Sequence, residues 1–397
     1  MIEVVVVEAG RSPIGKKNGS LARVHPADVL GPVQMGVLAA AGVDPDQVDH
    51  VVGGCINKVG AQAMNVTRTA WLSYGGPDSV PASTVDSQCG SSQYAVNLGY
   101  SLIASGAEEV VLACGVENMS RIPIGSDAFA GTKAGLGKPV SKSYFDYFEF
   151  VSQFEGAERI ATKYGVTRED ADRLGLSSQE RAARAIAEGR FDTQIIPVEV
   201  DVFAEDGSRT GERTTVVADE IPRQTSLEAL ARLTPVARED GIHTAGTSSQ
   251  IADGASAVLL MSAHAAERLG ATPRARITQT ALVGCDPELM LEGPISATEK
   301  LLRRAGLTID DIDLFEINEA FASVVLAWQR TLGADPEKVN PNGGAIALGH
   351  PLGATGCFLT TKAVHELQRS GQDRALVTMC CGGGLGTGTL LERVGQP

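Results

Sequence analysis

No cysteine pair in this chain stands at C-x-x-C spacing, and none sits at zinc-ligand spacing from a pair of histidines. A structural metal site is therefore not expected. The seven cysteines, Cys55, Cys89, Cys114, Cys285, Cys357, Cys380 and Cys381, are odd in number and scattered. That argues against a disulfide framework and fits reduced thiols in the cytosol. The chain also lacks G-x-x-x-x-G-K-[ST] and G-x-S-x-G, which counts against a P-loop ATPase and a serine hydrolase. Its glycine-rich run after Cys381 does not match G-x-G-x-x-G and lacks the acidic partner of a dinucleotide fold. Positive charge is scarce: 34 Lys and Arg face 48 Asp and Glu, for a net charge of −14. Such a surface disfavours the nucleic-acid backbone, although a local basic patch still accommodates a small polyanion. No hydrophobic run is long enough to cross a bilayer. The short run Val4–Val7, without a basic leader, reads as a buried first strand, so a cytoplasmic location with no membrane partner is expected.

What remains is a globular composition of 397 residues, 43% hydrophobic and 21% charged, long enough for two or three well-buried domains. Apolar, β-branched runs at Val4–Val7, Val51–Val52, Val110–Leu112, Val258–Met261 and Ala375–Met379 alternate with helical periodicity. The helical stretches include Pro26–Ala41, Tyr94–Ala104, Ala297–Ala305 and Thr360–Arg369. This alternation predicts an α/β protein with buried parallel or mixed sheets. A weak repeat is visible as well. Ser105-Gly106 precedes the run Val110 to Cys114, and Ser370-Gly371 precedes the run Ala375 to Met379, which ends at Cys380. Any α/β chain repeats helix–turn–strand units, so this pattern alone leaves duplication open. Residues 121–245 differ, with Gly/Lys/Ser-rich loops, polar helices over Gln153–Tyr164 and Arg168–Gly189, and a hairpin signal at Glu205-Asp206-Gly207. They read as an insertion. Arg121, Lys133, Lys138 and Lys142 make it locally basic, either as a solvated loop or as a docking surface for an anion or a neighbouring subunit.

Four segments carry candidate chemistry. Cys89 precedes a helical pattern with apolar Ala95, Leu98, Leu102 and Ile103. The free N–H groups of a helix start stabilise a thiolate or an oxyanion there, although most cysteines are small core residues. His350 lies among glycines with Pro351 behind it, which keeps it out of helical geometry. It is either a proton carrier or a structural loop histidine. Cys380 ends an apolar strand and opens a glycine-rich turn. Asn318 and Glu319 begin an apolar helix after the strand Asp313–Ile317, so Asn318 either caps that helix or positions a water or carbonyl.

Taken together and in order, these segments resemble the thiolases. Cys89-Gly-Ser-Ser is similar to that family's nucleophile segment, and Asn318 to Ala322 reads N-E-A-F-A. Gly343 to Gly356 matches G-G-A-I-A-x-G-H-P-x-G-x-x-G, and Cys380 to Gly386 matches C-x-G-G-G-x-G. The four motifs cover nearly the full chain. The resemblance implies a thiolase fold: a five-layered α-β-α-β-α core from two duplicated halves with an inserted loop domain. The corresponding divisions are residues 1–120 plus 246–268, 121–245 for the loop domain, and 269–397. It further implies Cys89 as nucleophile, with Cys380 and His350 as acid–base partners. Asn318 would act through a water, and the backbone N–H groups of Cys89 and Gly382 would form an oxyanion hole. Coenzyme A is implied as co-substrate, with no tightly bound cofactor and contacts at Ser249, Arg223 and Ala245. A homodimer or homotetramer is implied as well.

Two departures bear on the substrate. Short-chain acetoacetyl thiolases have His-Met-Gly where this chain has Ser152-Gln153-Phe154. The nucleophile motif here is Cys-Gly-Ser-Ser-Gln rather than Cys-x-Ser-Gly. Both features, with the opening Arg11-Ser-Pro-Ile-Gly, resemble bacterial thiolases of steroid side-chain breakdown. A bulky or long 3-ketoacyl-CoA is thus as plausible a substrate as acetoacetyl-CoA. The rival readings are a ketoacyl-synthase-type condensing enzyme, which would lack Cys380, and a catalytically silent acyl-CoA-binding protein.

Overall fold

A computed structural model describes residues 2–395 apart from Glu205. The first half runs through β1 (Val4–Arg11), β2 (Gly15–Lys16), α1 (Pro26–Ala41), β3 (His50–Gly54), α2 (Val66–Ser73), β4 (Ala82–Val85), α3 (Ser91–Ala104) and β5 (Val110–Asn118). The chain then leaves the sheet for α4 (Ser126–Lys133), α5 (Gln153–Lys163), α6 (Arg168–Ala187), the hairpin β6 (Val198–Phe203) and β7 (Arg209–Val216), and α7 (Leu227–Ala231). It returns as β8 (Ala252–Ser262) and α8 (Ala263–Leu269). The second half comprises β9 (Ala275–Gly284), α9 (Gly293–Ala305), β10 (Leu314–Ile317), α10 (Ala322–Leu332), α11 (Ala345–Leu348), α12 (Thr355–Ser370), β11 (Arg374–Cys381) and β12 (Leu385–Arg393).

Strand pairing shows the duplication directly. In the first half the order is β1-β8-β5-β3-β4, with the first two pairings antiparallel and the last two parallel. The second half reads β9-β12-β11-β10 with the same senses, and β10 is followed by a parallel bridge from Phe315 to Val339 where the other half has β4. The halves join where β1 and β9 pair antiparallel, Val4 opposite Ile277 and Val6 opposite Ala275.

Alternation along the strands sorts the layers, because successive side chains point to opposite faces. Val5 and Val7 pack outward with Leu30 and Val33 of α1 and Trp71 of α2. Val4 and Val6 point inward, into a central cluster with Ala95 and Ile103 of α3, Leu359 and Val364 of α12, and Val377 and Met379 of β11. On the far side, Leu376 and Leu390 meet Leu301 of α9 and Trp328 of α10. The result is five layers, with α3 and α12 sandwiched between the two half-sheets.

The central helices begin earlier than periodicity predicts. Ser91, Ser92 and Gln93 open α3, and Thr355 to Leu367 of α12 is buried throughout, including Thr360, Thr361 and Lys362. A helix buried on every side has no apolar stripe to mark its ends. The expected hairpin forms as β6 and β7; of its turn signal, Glu205 lies outside the described residues, while Gly207 takes a left-handed φ of 83°. One expectation is corrected. Asn318 and Glu319 do not begin the helix: α10 starts at Ala322 with Phe321 in the capping position, and both lie in the turn ahead of it, which removes the capping reading of Asn318.

The C-terminal turn 351–357 docks against the first half with backbone touching backbone. A Cβ on Gly356 would lie 2.0 Å from the Gln93 nitrogen, and one on Gly115 would lie 2.2 Å from the Gly353 oxygen. We expect Gly356→Ala to destabilise the protein by about 3 kcal/mol, because the obstructing atom is backbone and cannot swing away. A thermal midpoint equal to wild type would contradict this close approach.

Candidate active site

Cys89 stands just before α3, with Gly90 at the helix N-cap. The preceding residue, Gln88, holds a left-handed φ of 54°, a conformation that costs a non-glycine residue on the order of 1 kcal/mol or more. Two hydrogen bonds keep it there. Its N–H donates to Asp86 Oδ1 at 2.9 Å, and the Ser91 hydroxyl donates to its carbonyl at 2.5 Å. The turn places Cys89 on the wall of a pocket of about 570 Å³, counting the part open to solvent. His350 and Cys380 line the same pocket, as do Ser249, Gln250 and the apolar Met119, Ile124, Phe154, Leu291 and Leu352.

His350 is held at both ring nitrogens. Nδ1 lies 2.6 Å from Thr355 Oγ1, whose hydroxyl donates to the Pro351 carbonyl at 2.9 Å. With that hydroxyl proton committed, Nδ1 must carry the ring hydrogen and donate it, leaving a lone pair on Nε2. The Asn318 amide donates to Nε2 at 3.3 Å. Burial pushes the His350 pKa down to about 3, so the ring is neutral at ordinary pH. Asn318 Oδ1 and Ser248 Oγ are buried without a hydrogen-bond partner among the described residues. Orphan polar atoms of this kind are costly in a core and suit a site that receives a polar ligand.

The thiols sit in apolar surroundings. Burial pushes the Cys89 pKa up to about 11 against the N–H groups of Gly382 and of Cys89 itself, which favour the thiolate, while Glu117 and Asp86 add to the rise. The Gly382 and Cys89 donors therefore already point at the sulfur, the arrangement an oxyanion needs. Burial also raises Cys380 well above the ordinary thiol range. Its neighbours are Met290, Leu291, Ala320 and Phe321. At rest this site is uncharged: two thiols and one neutral imidazole.

Of the residues singled out from sequence, Cys89, His350, Cys380 and Ser249 meet in one pocket, and Asn318 and Gly382 touch its side chains. Arg223 and Ala245 lie elsewhere. Arg223 lines a separate groove with Leu176, Gln179, Ile186 and Pro222. Its guanidinium donates to the Ala245 carbonyl at 3.1 Å. Gln250 connects the two places, since its amide donates to the same carbonyl at 2.8 Å while its side chain lines the pocket. Sequence reasoning passed over Thr355 and gave Glu319 no role beyond opening a helix with Asn318. The Glu319 carboxylate accepts from the Ser178 hydroxyl, the Asn340 amide and the Ile346 N–H at 2.7, 3.1 and 3.1 Å. It thereby ties the Asn318 turn to the chain leading into His350. A buried acid inside an apolar motif was the available signal.

A five-layered, duplicated α/β protein with paired thiols and an imidazole in one pocket is a narrow structural class, and the comparisons agree on it. The family model for the thiolase N-terminal domain matches residues 4–264, and that for the thiolase C-terminal domain matches residues 271–393. A steroid 3-ketoacyl-CoA thiolase of Mycobacterium tuberculosis is 47% identical over 400 residues, spanning 99% of this chain and 95% of that protein. Among solved structures, the Bacillus anthracis acetyl-CoA acetyltransferase superposes with a TM-score of 0.90 at 36% identity over 99% of each chain. The human mitochondrial 3-ketoacyl-CoA thiolase in complex with CoA superposes with a TM-score of 0.87 at 35% identity, covering 99% of this chain and 98% of that one. The chain belongs to the thiolase family.

The raised Cys89 pKa sets a pH signature. Below about 11 the thiolate fraction grows roughly tenfold per pH unit, so the rate of Cys89 alkylation by iodoacetamide should climb log-linearly across the neutral and mildly alkaline range. Cys89→Ala identifies the signal. A plateau near neutral pH would mean that an imidazolium–thiolate pair forms at rest.

Proposed function

We propose that this protein is a thiolase that cleaves a 3-ketoacyl-CoA with coenzyme A to acetyl-CoA and a shortened acyl-CoA, or runs the reverse condensation, through an acyl-enzyme on Cys89. The observation that carries this reading is the meeting of Cys89, Cys380 and His350 on one pocket, with the Gly382 N–H directed at the Cys89 sulfur.

Cys89 transfers its proton to His350 Nε2, the ring nitrogen without a hydrogen, displacing the contact with the Asn318 amide, and attacks the 3-keto carbonyl. The oxyanion formed is held by the N–H groups of Cys89 and Gly382. Cleavage of the carbon–carbon bond leaves the acyl group on Cys89 and releases acetyl-CoA as its enolate, to which Cys380 gives its proton at carbon. His350 and Asn318, the latter through a water, hold the enolate oxygen. The Cys380 thiolate then takes the proton of an incoming coenzyme A thiol, which attacks the acyl-enzyme. The imidazolium returns its proton to the departing Cys89 sulfur, and both thiols are restored. Two thiols are needed because one must bond to carbon and leave again, while the other must exchange a proton with carbon.

Coenzyme A would run from the Arg223 groove past Ala245 to Ser249 and the pocket, a course supported by the link through Gln250. It serves as co-substrate, with no other cofactor called for. The walls favour a bulky acyl group. Ile124 and Phe154 are 44% and 40% exposed at the pocket mouth, and Phe154 stacks edge-on against Phe321 with ring centroids 5.5 Å apart. An acetoacetyl-specific enzyme is the second reading, favoured by the likeness to the bacterial acetyl-CoA acetyltransferase structure. The inserted segment 121–245 would serve as the coenzyme A docking part. At least a dimer is inferred, since the edge strand β4 is only half covered and open edges invite pairing; sedimentation velocity reads the assembly. A cytoplasmic location is supported by cysteines that are all free. Among the described residues no helix is long and apolar enough to cross a membrane.

Two experiments test the proposal. Mass spectrometry after mixing with acyl-CoA should find the acyl adduct on Cys89, none in Cys89→Ala, and a retained adduct in Cys380→Ser, which should nevertheless have lost carbon–carbon cleavage. An adduct on any other residue would end the scheme. Thiolysis measured from acetoacetyl-CoA up to sterol-sized 3-ketoacyl-CoA should give its highest kcat/KM at the bulky end. In the same assay Arg223→Ala should raise the KM for coenzyme A about tenfold at unchanged kcat, as expected for loss of uniform binding. Best turnover on acetoacetyl-CoA would favour the second reading.

A further inference from the structure

Glu117 ends near the pocket yet has no part in the scheme above. It is the penultimate residue of strand β5 and is fully buried. Its Oε2 accepts from the backbone N–H groups of Ile56 and Gly353, each at 3.0 Å. Its Oε1 accepts from the Asn57 backbone and side-chain amides, each at 3.2 Å, and from the Gln62 amide at 2.7 Å. All of these partners are donors. A carboxyl proton would have to face one of them, so the cradle is built for the ionised form, even though burial itself pushes the Glu117 pKa up. The two backbone donors to Oε2 come from opposite halves of the chain. Gly353 is 236 positions away, in the turn that follows His350. Ile56 packs with Met119 and Leu352 against Cys89. The fit leaves no slack, since a Cβ on Gly353 would stand 2.8 Å from Glu117 Oε2.

We propose that Glu117 is a positioning residue for thiolysis: its carboxylate clamps the turn that carries His350 to the loop that flanks Cys89, setting the imidazole against the thiol across the junction of the two halves. This rests on the reading of Cys89 and His350 as the reacting pair. The clamp also places a negative charge near Cys89. Together with Asp86 that charge opposes the thiolate, while the Gly382 and Cys89 N–H groups favour it.

Glu117→Gln tests the clamp. The amide keeps one acceptor but turns an NH2 group toward existing donors, so it loosens the turn and removes the charge at once. Thiolysis kcat should fall on the order of 10²-fold, the cost of a small misplacement of reacting groups, while KM for both substrates stays within about threefold. The pH profile of Cys89 alkylation should move to lower pH with the circular dichroism spectrum and thermal midpoint unchanged, since unfolding would also expose the thiol and lower its pKa. Glu117→Asp keeps the charge and withdraws the oxygens by one carbon, so kcat should fall with the alkylation profile unmoved. It serves if the Gln variant does not fold, as judged by circular dichroism and thermal midpoint. A folded variant of either kind with kcat within about threefold of wild type overturns the clamp and leaves the Cys89 scheme standing. A wild-type protein without thiolysis overturns the scheme instead.

Discussion

Contact of backbone with backbone at the seam between the halves is the constraint on which this molecule depends. The turn 351–357 from the second half lies in a trough formed by the ends of β3 and β5 and the start of α3. A Cβ on Gly54 would come within 2.8 Å of the Gly353 oxygen, and one on Gly353 within 2.7 Å of the Val116 oxygen. Hydrogen bonds close the seam: the Cys357 N–H donates to Ser92 Oγ at 3.0 Å, and Ser256 Oγ donates to the Ala354 carbonyl at 2.5 Å. Cys89 begins one central helix and His350 precedes the other, so whatever fixes α3 against α12 also fixes the thiol relative to the imidazole. Rigidity of this kind suits a reaction whose rate depends on placement.

The seam also explains the electrostatic state of the site. Enclosure by two sheets and two helices removes water, and a charge there is costly unless a fixed partner accompanies it. The thiols and the imidazole consequently rest neutral, with His350 pushed down to about 3 and Cys89 up to about 11. In the proposed scheme, charge develops only during reaction, beside N–H groups already in position, so little reorganisation is needed at that moment. Elsewhere in the same interior, the buried carboxylates Glu117 and Glu319 are surrounded by donors and tie loops together. Their cost is offset by hydrogen bonds, and their return is geometric definition.

Much of the architecture was legible in the sequence. Each apolar run lies within a strand, because strands covered by helices on both faces are buried at every position and leave continuous apolar runs. The insertion was visible from its polar helices and exposed loops. Less legible were the ends of the central helices: polar Ser91, Ser92, Thr360 and Lys362 are buried there and break the apolar pattern that periodicity follows. Sequence left two readings of Asn318 open for a related reason. An asparagine before an apolar helix usually caps it, whereas here its amide goes to His350.

The sequence by itself determined the alternation of strands and helices, the glycines that permit close approach, and the residue types at the four motif turns, since all of these are written in local chemistry and spacing. The tertiary structure alone decided which of the seven cysteines share a pocket with His350, which ring nitrogen of that histidine carries the hydrogen, and that Glu117 joins the two halves. Those facts depend on contacts between distant positions, such as Gly353 and Glu117 at a separation of 236. Local propensity carries no information about such pairs; they arise only when two sheets close over a common pair of helices.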